Sequence, residues 1–247
     1  MSPPLWSPRP IAHRGLHRSS RGIVENTPSA IKAAIDRGYA IEVDLQPAKD
    51  SEPVVFHDET LDRLVDASGN VNTHTLAELR RLAYKSTSDR ILSLAELLDL
   101  VGGRAPLLIE VKTLFGPPGD YERQIAARIA KYQGPLALMS FDPWSMMALR
   151  AHAPNIPRGL TSYRWDDNWM PQVTGGRRRS LARLSHIAAV GASFIAYDID
   201  DLPSFPPWWA RRVRGCQLLT WTVRTPEQRA RYLPKLISGQ YVGALAM

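Results

Sequence analysis

Short apolar runs recur along this sequence, and patterns typical of amphipathic helices fill most of the gaps between them. The runs are PIAHRG (10–15), AIEVDLQ (40–46), PVVFH (53–57), PLLIEVK (106–112), LALMSF (136–141), RGLTSY (158–163), SFIAYDI (193–199) and QLLTWTV (217–223). Helix-start signals stand at Thr27, Ser93 and Thr225. Strand–helix alternation over 247 residues predicts an α/β fold with a parallel sheet, and eight strands predict a TIM (β/α)8-type barrel.

Two features do not fit a simple eight-strand plan. The run YVGALAM (241–247) is a ninth candidate strand, and only about six residues separate AIEVDLQ from PVVFH. A parallel crossover usually needs roughly a dozen residues or more, so either a helix is missing there or one run is not a barrel strand. The long segment 58–92 predicts a small insertion after the third strand, over the barrel mouth. We expect a single domain over residues 1–247.

Composition limits the location and the partners of the chain. Hydrophobic residues make up 44% and charged residues 22%, and no apolar run approaches the ~20 residues that span a bilayer. The N-terminus lacks an apolar secretory core, and the single Cys216 excludes an internal disulfide. We therefore expect a cytoplasmic protein. Nothing in the sequence indicates an oligomeric state.

The net charge of +7 has several possible roles. Arginines cluster at 175–184 and 208–215, where they form either solvated faces or contacts to an anionic membrane surface, an anionic small substrate or nucleic acid. No zinc-finger spacing, RNP signature or Gly-rich phosphate loop is present, so we do not expect nucleic-acid binding.

Charged and imidazole side chains stand near the carboxyl ends of four of the apolar runs. Because side chains alternate across a strand, Glu42 and Asp44 lie on the same face of their strand. Glu110 and Lys112 likewise lie on the same face of theirs. His13 closes the first run and His57 closes the third. Active sites of parallel barrels form at the carboxyl ends of the strands, so these side chains are expected to meet there.

The chemistry of such a group is that of phosphoester cleavage. Three carboxylates in one cleft repel one another, and a hard divalent cation, Mg²⁺ or Ca²⁺, offsets their charge better than zinc would. Arg14 and Lys112 supply the positive charge that a phosphate needs, and two histidines supply a general acid and a general base. Each residue alone has a structural explanation, such as a surface ion pair. Their recurrence at four strand ends favours the functional interpretation.

These residues belong to motifs that resemble the glycerophosphodiester phosphodiesterase family of TIM barrels. The matching motifs, in order, are AHRG (12–15), ENTPSAI (25–31), IEVDLQ (41–46), VVFHDETLDR (54–63), IEVK (109–112), SFDP (140–143) and WTV (221–223). They cover nearly the whole chain from about residue 10. The resemblance implies metal-dependent hydrolysis of a glycerophosphodiester to glycerol 3-phosphate and an alcohol.

The resemblance also implies a role for each matching residue. Glu42, Asp44 and Glu110 would bind one divalent ion, Mg²⁺ or Ca²⁺, and His13 and His57 would be the acid–base pair. The attacking hydroxyl would belong either to water or to the glycerol 2-position of the substrate.

Further positions would hold the substrate. The resemblance implies that Arg14 and Lys112 bind the phosphate and that Asn26 lies near the site, with Glu25 supporting it. Trp221 would line the substrate end of the pocket.

The sequence departs from the family pattern in three places. KDSEP replaces a Gly-containing turn after the second strand, Arg224 follows WTV where Asn is common, and LISGQYVGALAM (236–247) replaces the usual last strand. Two alternatives remain. One is a lysophospholipase D-like enzyme with an apolar groove, for which the candidate lining residues are Trp144, Trp165, Trp169, Trp208 and Trp209. The other is a non-catalytic phosphate-ligand or membrane-surface binder on the same fold.

Overall fold

The computed structural model describes residues 11–166, 169–228, 230 and 243–246. Its strands are β1 (Ile11–Ala12), β2 (Ala40–Pro47), β3 (Pro53–Val55), β4 (Leu107–Val111), β5 (Leu136–Ser140), β6 (Arg158–Ser162), β7 (Phe194–Asp198), β8 (Gln217–Val223) and β9 (Gly243–Ala246). Its helices are α1 (Pro28–Asp36), α2 (Leu76–Leu79), α3 (Leu94–Val101), α4 (Asp120–Ile129), α5 (Pro143–His152), α6 (Gly175–Ala182), α7 (Ile187–Val190) and α8 (Phe205–Arg214). Short 3-10 turns cover Ser19–Arg21 and Val71–Thr73.

The parallel strands close into a barrel. They pair in the order β1-β9-β8-β7-β6-β5-β4-β2, and β1 also pairs with β2, which completes the ring. The predicted TIM-type barrel is therefore confirmed. The run 53–57 is not a barrel strand, because its short link folds β3 back antiparallel to β2, with Leu45 opposite Val55. The last run, through β9, takes the eighth place, while residues 236–242 and 247 of the atypical C-terminal stretch lie outside the described residues.

Capping residues begin two of the predicted helices where the sequence placed them. The Thr27 side chain accepts the backbone N–H of Ala30 at the start of α1, and Ser93 and Glu96 form a reciprocal capping box at α3. The third predicted helix, from Thr225, lies partly outside the described residues. Satisfied helix ends fix where the chain leaves each strand, which in turn sets the loops at the barrel mouth.

The core has two layers because the side chains of each strand alternate between the barrel interior and the surrounding helices. Ile41, Val43 and Leu45 of β2 are fully buried against the helices. The interior face of the barrel is filled at one level by a separate apolar cluster, which comprises Ile11, Ala40, Leu108, Ala137, Met139, Phe194, Ala196 and Leu219. The next interior positions toward the carboxyl ends of β2 and β4 carry charged residues instead. The fold therefore directs these charges into the mouth of the barrel.

The segment after β3 folds on a small core of its own, as the predicted insertion requires. Its apolar cluster includes Phe56, Leu61, Val65, Leu79 and Ile91, all essentially inaccessible to solvent. Backbone bonds from the segment to its neighbours, such as the N–H of Phe56 to the carbonyl of Asp44 at 3.1 Å, anchor it to β2. The first residues of this insertion consequently stand at the barrel mouth.

Candidate active site

Three buried carboxylates form the centre of the site. Glu42 and Asp44 come from β2, and Glu110 lies opposite Asp44 on the neighbouring β4. All three residues are buried, and one carboxylate oxygen from each lies within 4.8 Å of the others. The structure therefore brings together the acidic residues that the alternation pattern placed on the interior face.

Two cations and one amide surround Asp44. Lys112 Nζ lies 3.0 Å from Asp44 Oδ1 and also pairs with Glu110, and Arg14 Nε lies 3.7 Å from Asp44 Oδ2. Asn26 donates its side-chain N–H to Asp44 Oδ2 at 2.9 Å, and its carbonyl oxygen accepts the Asp44 backbone N–H at 3.2 Å. Asp44 is thus the most fully compensated carboxylate of the three.

The loop after β1 holds a strained backbone that orients these partners. Arg14 and Asn26 both have positive φ angles, of 57° and 58°, and the Arg14 backbone N–H donates to Glu42 Oε2 at 2.8 Å. Gly15 follows with a φ of 76°, and a Cβ there would meet the backbone carbon of Ala30 at 2.9 Å. Only glycine permits this close approach of the loop to α1.

The electrostatic surroundings shift the pKa values of Asp44 and Glu42 in opposite directions. Burial by itself raises the pKa of Asp44, but Lys112, His57 and Arg14 together hold this pKa well below its usual range. Burial raises the pKa of Glu42 well above its usual value, and the neighbouring Asp44 and Glu110 raise it further. Without further positive charge, Glu42 is the carboxylate that is most costly to ionise.

The two histidines near this charged centre differ in their hydrogen bonds. Burial, and then the positive charges of Arg14 and Lys112, lower the pKa of His13 to about 3, so its imidazole is neutral near neutral pH. His13 Nδ1 is buried and has no hydrogen-bond partner among the described residues. His57 Nδ1 lies 2.7 Å from Asp58 Oδ1, and Nε2 is the ring nitrogen with no hydrogen bond to any described residue.

An ion-pair network links His57 back to the loop after β1. Arg63 Nε donates to Asp58 Oδ2 at 2.6 Å, and both of its terminal nitrogens donate to Glu25, at 2.6 and 3.1 Å. Glu25 also accepts from Arg14 at 2.8 Å. The insertion therefore contacts both His57 and the loop after β1 through one ion-pair network.

Asp58 and Arg63 were not among the sequence-predicted site residues. The motif HDETLDR contains both of them, but the sequence does not show that Arg63 reaches Glu25, which is 38 positions earlier. Charged residues in a predicted loop are usually solvated, so the pattern alone gave no reason to choose them.

A cavity of about 380 Å³ opens beside the carboxylates and has one polar and one apolar wall. Its polar wall includes His57, Glu110 and Lys112. The apolar residues lining it are Val111, Phe115, Phe141, Trp169, Met170 and Pro171. Such an arrangement suits a ligand with a charged end and a less polar end.

Of the candidate aromatic residues, Trp169 lines the cavity and others lie in the aromatic cluster beside it. The Trp221 ring lies 5.7 Å from Phe141 and 6.0 Å from Trp169, so it supports the apolar wall. Trp165 is buried in the same aromatic cluster. Trp144 contacts His186 on the outer side of this cluster.

Two of the candidate tryptophans lie away from the cavity. Trp208 and Trp209 lie on α8, Trp208 half-exposed and Trp209 against the core between the barrel and its helices. Neither lines the cavity beside the carboxylates, because α8 packs on the outside of the barrel.

The carboxylates fit a divalent cation. Glu42 Oε1 is buried and has no hydrogen-bond partner among the described residues, although a buried carboxylate oxygen is costly to leave unpaired. The three ligand groups are all carboxylates, which hard cations such as Mg²⁺ and Ca²⁺ prefer. A second group, Glu25, His57 and Asp58, is already neutralised by Arg63 and is not a comparable candidate.

A closed parallel barrel with charged residues at the carboxyl ends of its strands defines the class of TIM-barrel enzymes. The model of the glycerophosphoryl diester phosphodiesterase family matches residues 13–239, and the chain belongs to this family.

Curated relatives and solved structures agree with this family. The chain is 35% identical over 160 residues to a glycerophosphodiester phosphodiesterase of Caldanaerobacter subterraneus and 31% identical over 169 residues to one of Bacillus subtilis. These matches cover 61% and 60% of this chain but only 65% and 57% of the relatives, which is less than two thirds of either protein.

The structural neighbours share the fold over almost the entire chain. An Oleispira antarctica phosphodiesterase, solved in complex with the product sn-glycerol-3-phosphate, has a TM-score of 0.74 at 21% identity, covering 96% of this chain and 92% of that one. A glycerophosphodiester phosphodiesterase from Agrobacterium tumefaciens has a TM-score of 0.69 at 22% identity, covering 96% of each chain. In the part of this chain that the structure describes, no helix has the length and apolar character needed to cross a bilayer.

Proposed function

We propose that this protein hydrolyses glycerophosphodiesters to glycerol 3-phosphate and an alcohol in a metal-dependent reaction. The observation that carries the proposal is the convergence of two histidines, three buried carboxylates and Lys112 at one barrel mouth. Membership of the family and the product bound to the Oleispira antarctica neighbour support the same substrate class.

The two histidines are proposed to share the proton transfers. His13 is neutral near neutral pH and accepts the proton of the attacking hydroxyl, which is that of water or of the glycerol 2-position. His57 donates a proton from Nε2 to the leaving alkoxide, and the contact of its Nδ1 with Asp58 at 2.7 Å orients the ring for this transfer. The transfers balance, since one proton leaves the nucleophile and one reaches the leaving group.

The charged residues are proposed to bind the phosphate and stabilise the transition state. Arg14 and Lys112 compensate the negative charge of the phosphoryl oxygens, and Asn26 holds Asp44 in place. Glu42, Asp44 and Glu110 would hold one Mg²⁺ or Ca²⁺, which as a Lewis acid would supply further charge stabilisation.

A lysophospholipid is the second candidate substrate. The apolar wall of the cavity, formed in part by Phe115, Phe141 and Trp169, favours this possibility, because an acyl chain needs an apolar path beside the glycerol. We also propose that the chain functions as one domain in the cytoplasm. Fractionation of producing cells tests the location.

The test is release of glycerol 3-phosphate from glycerophosphocholine and glycerophosphoethanolamine, with Mg²⁺, with Ca²⁺ and with excess EDTA. We expect metal-dependent release, and we expect His13→Ala and His57→Ala to abolish it without loss of fold. Release that persists after complete chelation would refute the metal requirement. Failure with diesters and success with lysophospholipids would select the second candidate, and failure with both would favour a binding protein.

A further inference from the structure

The two arginine clusters of the sequence have different surroundings in the structure. In the cluster at 175–184, Arg177 donates to the carbonyl of Phe115 at 3.0 Å and stacks 4.0 Å from the Trp144 ring. Arg178 of the same cluster donates to the carbonyl of Val173 at 3.1 Å. Arg177 and Arg178 therefore hydrogen-bond to carbonyls of neighbouring loops.

The second cluster lies on α8, whose outer face is unusually apolar. Phe205, Trp208 and Val213 are 69%, 53% and 60% exposed, while Pro207 and Ala210 are buried against the barrel. In the described part of the chain, five large apolar side chains are at least half exposed, and three of them lie on this one helix. A concentration of this kind marks a surface that contacts something apolar.

Positive charge surrounds the apolar face. Arg212 and Arg214 are exposed on α8, and the helix contains no acidic residue. A groove of about 380 Å³ between α7 and α8 has Leu184 and Ile187 among its lining residues, together with Arg183 and Arg214. The groove therefore combines an apolar surface with two guanidinium groups.

We propose that the outer face of α8, together with this groove, docks the protein on an anionic phospholipid bilayer. Helices that lie in the bilayer interface have aromatic and aliphatic side chains on one side and Lys or Arg beside them. Trp and Phe would enter the boundary between headgroups and acyl chains, and the arginines would pair with lipid phosphates. The net charge of +7 attracts the protein to such a surface.

The charge pattern disfavours two other occupants. A two-fold contact with a second copy would bring the arginines of α8 close to their own equivalents, with no acidic residue of the helix to compensate. A nucleic acid would satisfy the arginines but leave Phe205, Trp208 and Val213 without an apolar partner. An anionic bilayer satisfies both requirements, and this proposal does not depend on the proposed reaction.

Vesicle flotation tests the proposal directly. We expect the wild-type chain to float with phosphatidylcholine vesicles that contain phosphatidylglycerol, and to bind pure phosphatidylcholine vesicles at least about tenfold more weakly. Phe205→Ser with Trp208→Ser should weaken binding to the anionic vesicles at least about tenfold, and so should Arg212→Glu with Arg214→Glu. Added salt should weaken the binding of the wild type.

A charge-matched control separates a local site from general attraction. Lys32 and Lys131 are exposed on other helical faces or turns, so Lys32→Glu with Lys131→Glu removes the same charge and should retain most of the binding. Equal losses in the control and in the arginine variant would overturn the proposal, as would absence of anionic-vesicle binding. Melting curves establish that each variant is folded. A dimer of the wild type in sedimentation velocity that the Phe205 and Trp208 variant loses would assign the face to a second copy instead.

Discussion

Replacing Lys112 with Met tests whether the site is held together by charge compensation. Lys112 is the cation shared by Asp44 and Glu110, and these carboxylates are 1% and 9% exposed. Removing one partner of a buried ion pair costs about 3–5 kcal/mol, because the remaining charge stays buried and unpaired. The Lys112 side chain retains 18% exposure, so we expect the lower end of that range, about 3 kcal/mol, in the metal-free protein.

The expected change in melting temperature follows from the size of the chain. For a protein of 247 residues, a loss of about 3 kcal/mol corresponds to a decrease of roughly 6–12 °C. Calorimetry or urea unfolding in EDTA measures the loss, and Lys32→Met, at an exposed position of α1, is the matched control.

Titration with Mg²⁺ or Ca²⁺ makes the test specific. A bound cation restores positive charge beside Asp44 and Glu110 and stabilises the folded state by binding to it. The stability gap between Lys112→Met and the wild type should therefore narrow as the metal concentration rises. The reasoning is wrong if Lys112→Met is as stable as the wild type in EDTA, or if the gap does not depend on metal.

Three further predictions concern single residues. Glu42 has a raised pKa in the folded protein, so its ionisation destabilises the metal-free fold as pH rises from about 4.3, its unfolded value, toward the raised folded value. Metal-free Glu42→Gln should consequently be more stable than the wild type at alkaline pH, although inactive, and equal unfolding curves in EDTA would contradict this. Asp58→Asn should lower kcat roughly ten- to a hundredfold with little change in KM, because it loosens the orientation of His57; an unchanged kcat in steady-state assays would remove Asp58 from the mechanism. Gly15→Ala should destabilise the fold by at least about 1–2 kcal/mol from its φ of 76° alone, with a further cost from the contact with Ala30. Gly116→Ala, where a Cβ has open space, is the control in urea unfolding, and similar midpoints for the two variants would refute the steric argument.

The structure identifies positioning residues that the sequence motifs left unassigned. Asp58 and Arg63 belong to the insertion, but they act on His57 and Glu25. This arrangement explains how His57, the proposed acid, is held in place outside the barrel strands. The insertion has its own apolar core, and the hydrogen bond from the Phe56 N–H to the Asp44 carbonyl anchors it to β2.

The sequence by itself determined where most of the strands run, where the capped helices begin and which charged residues share a face. The pleat of a strand imposes a period of two, so Glu42 and Asp44 must share a face wherever the strand is placed. Caps such as Thr27 and Ser93 likewise act on backbone groups within the same turn. These features are local, and local physical chemistry is sufficient to predict them.

Only the tertiary structure decided how distant segments meet. β3 pairs antiparallel with β2 and lies outside the barrel, whereas β9 occupies the eighth strand position between β8 and β1. Strand pairing of this kind depends on which strand edges are free when the ring closes. The tertiary structure also buried Trp165 in the aromatic cluster beside the cavity while leaving Trp208 half-exposed on α8. Such outcomes depend on packing between elements far apart along the chain, and no pattern within a single element records them.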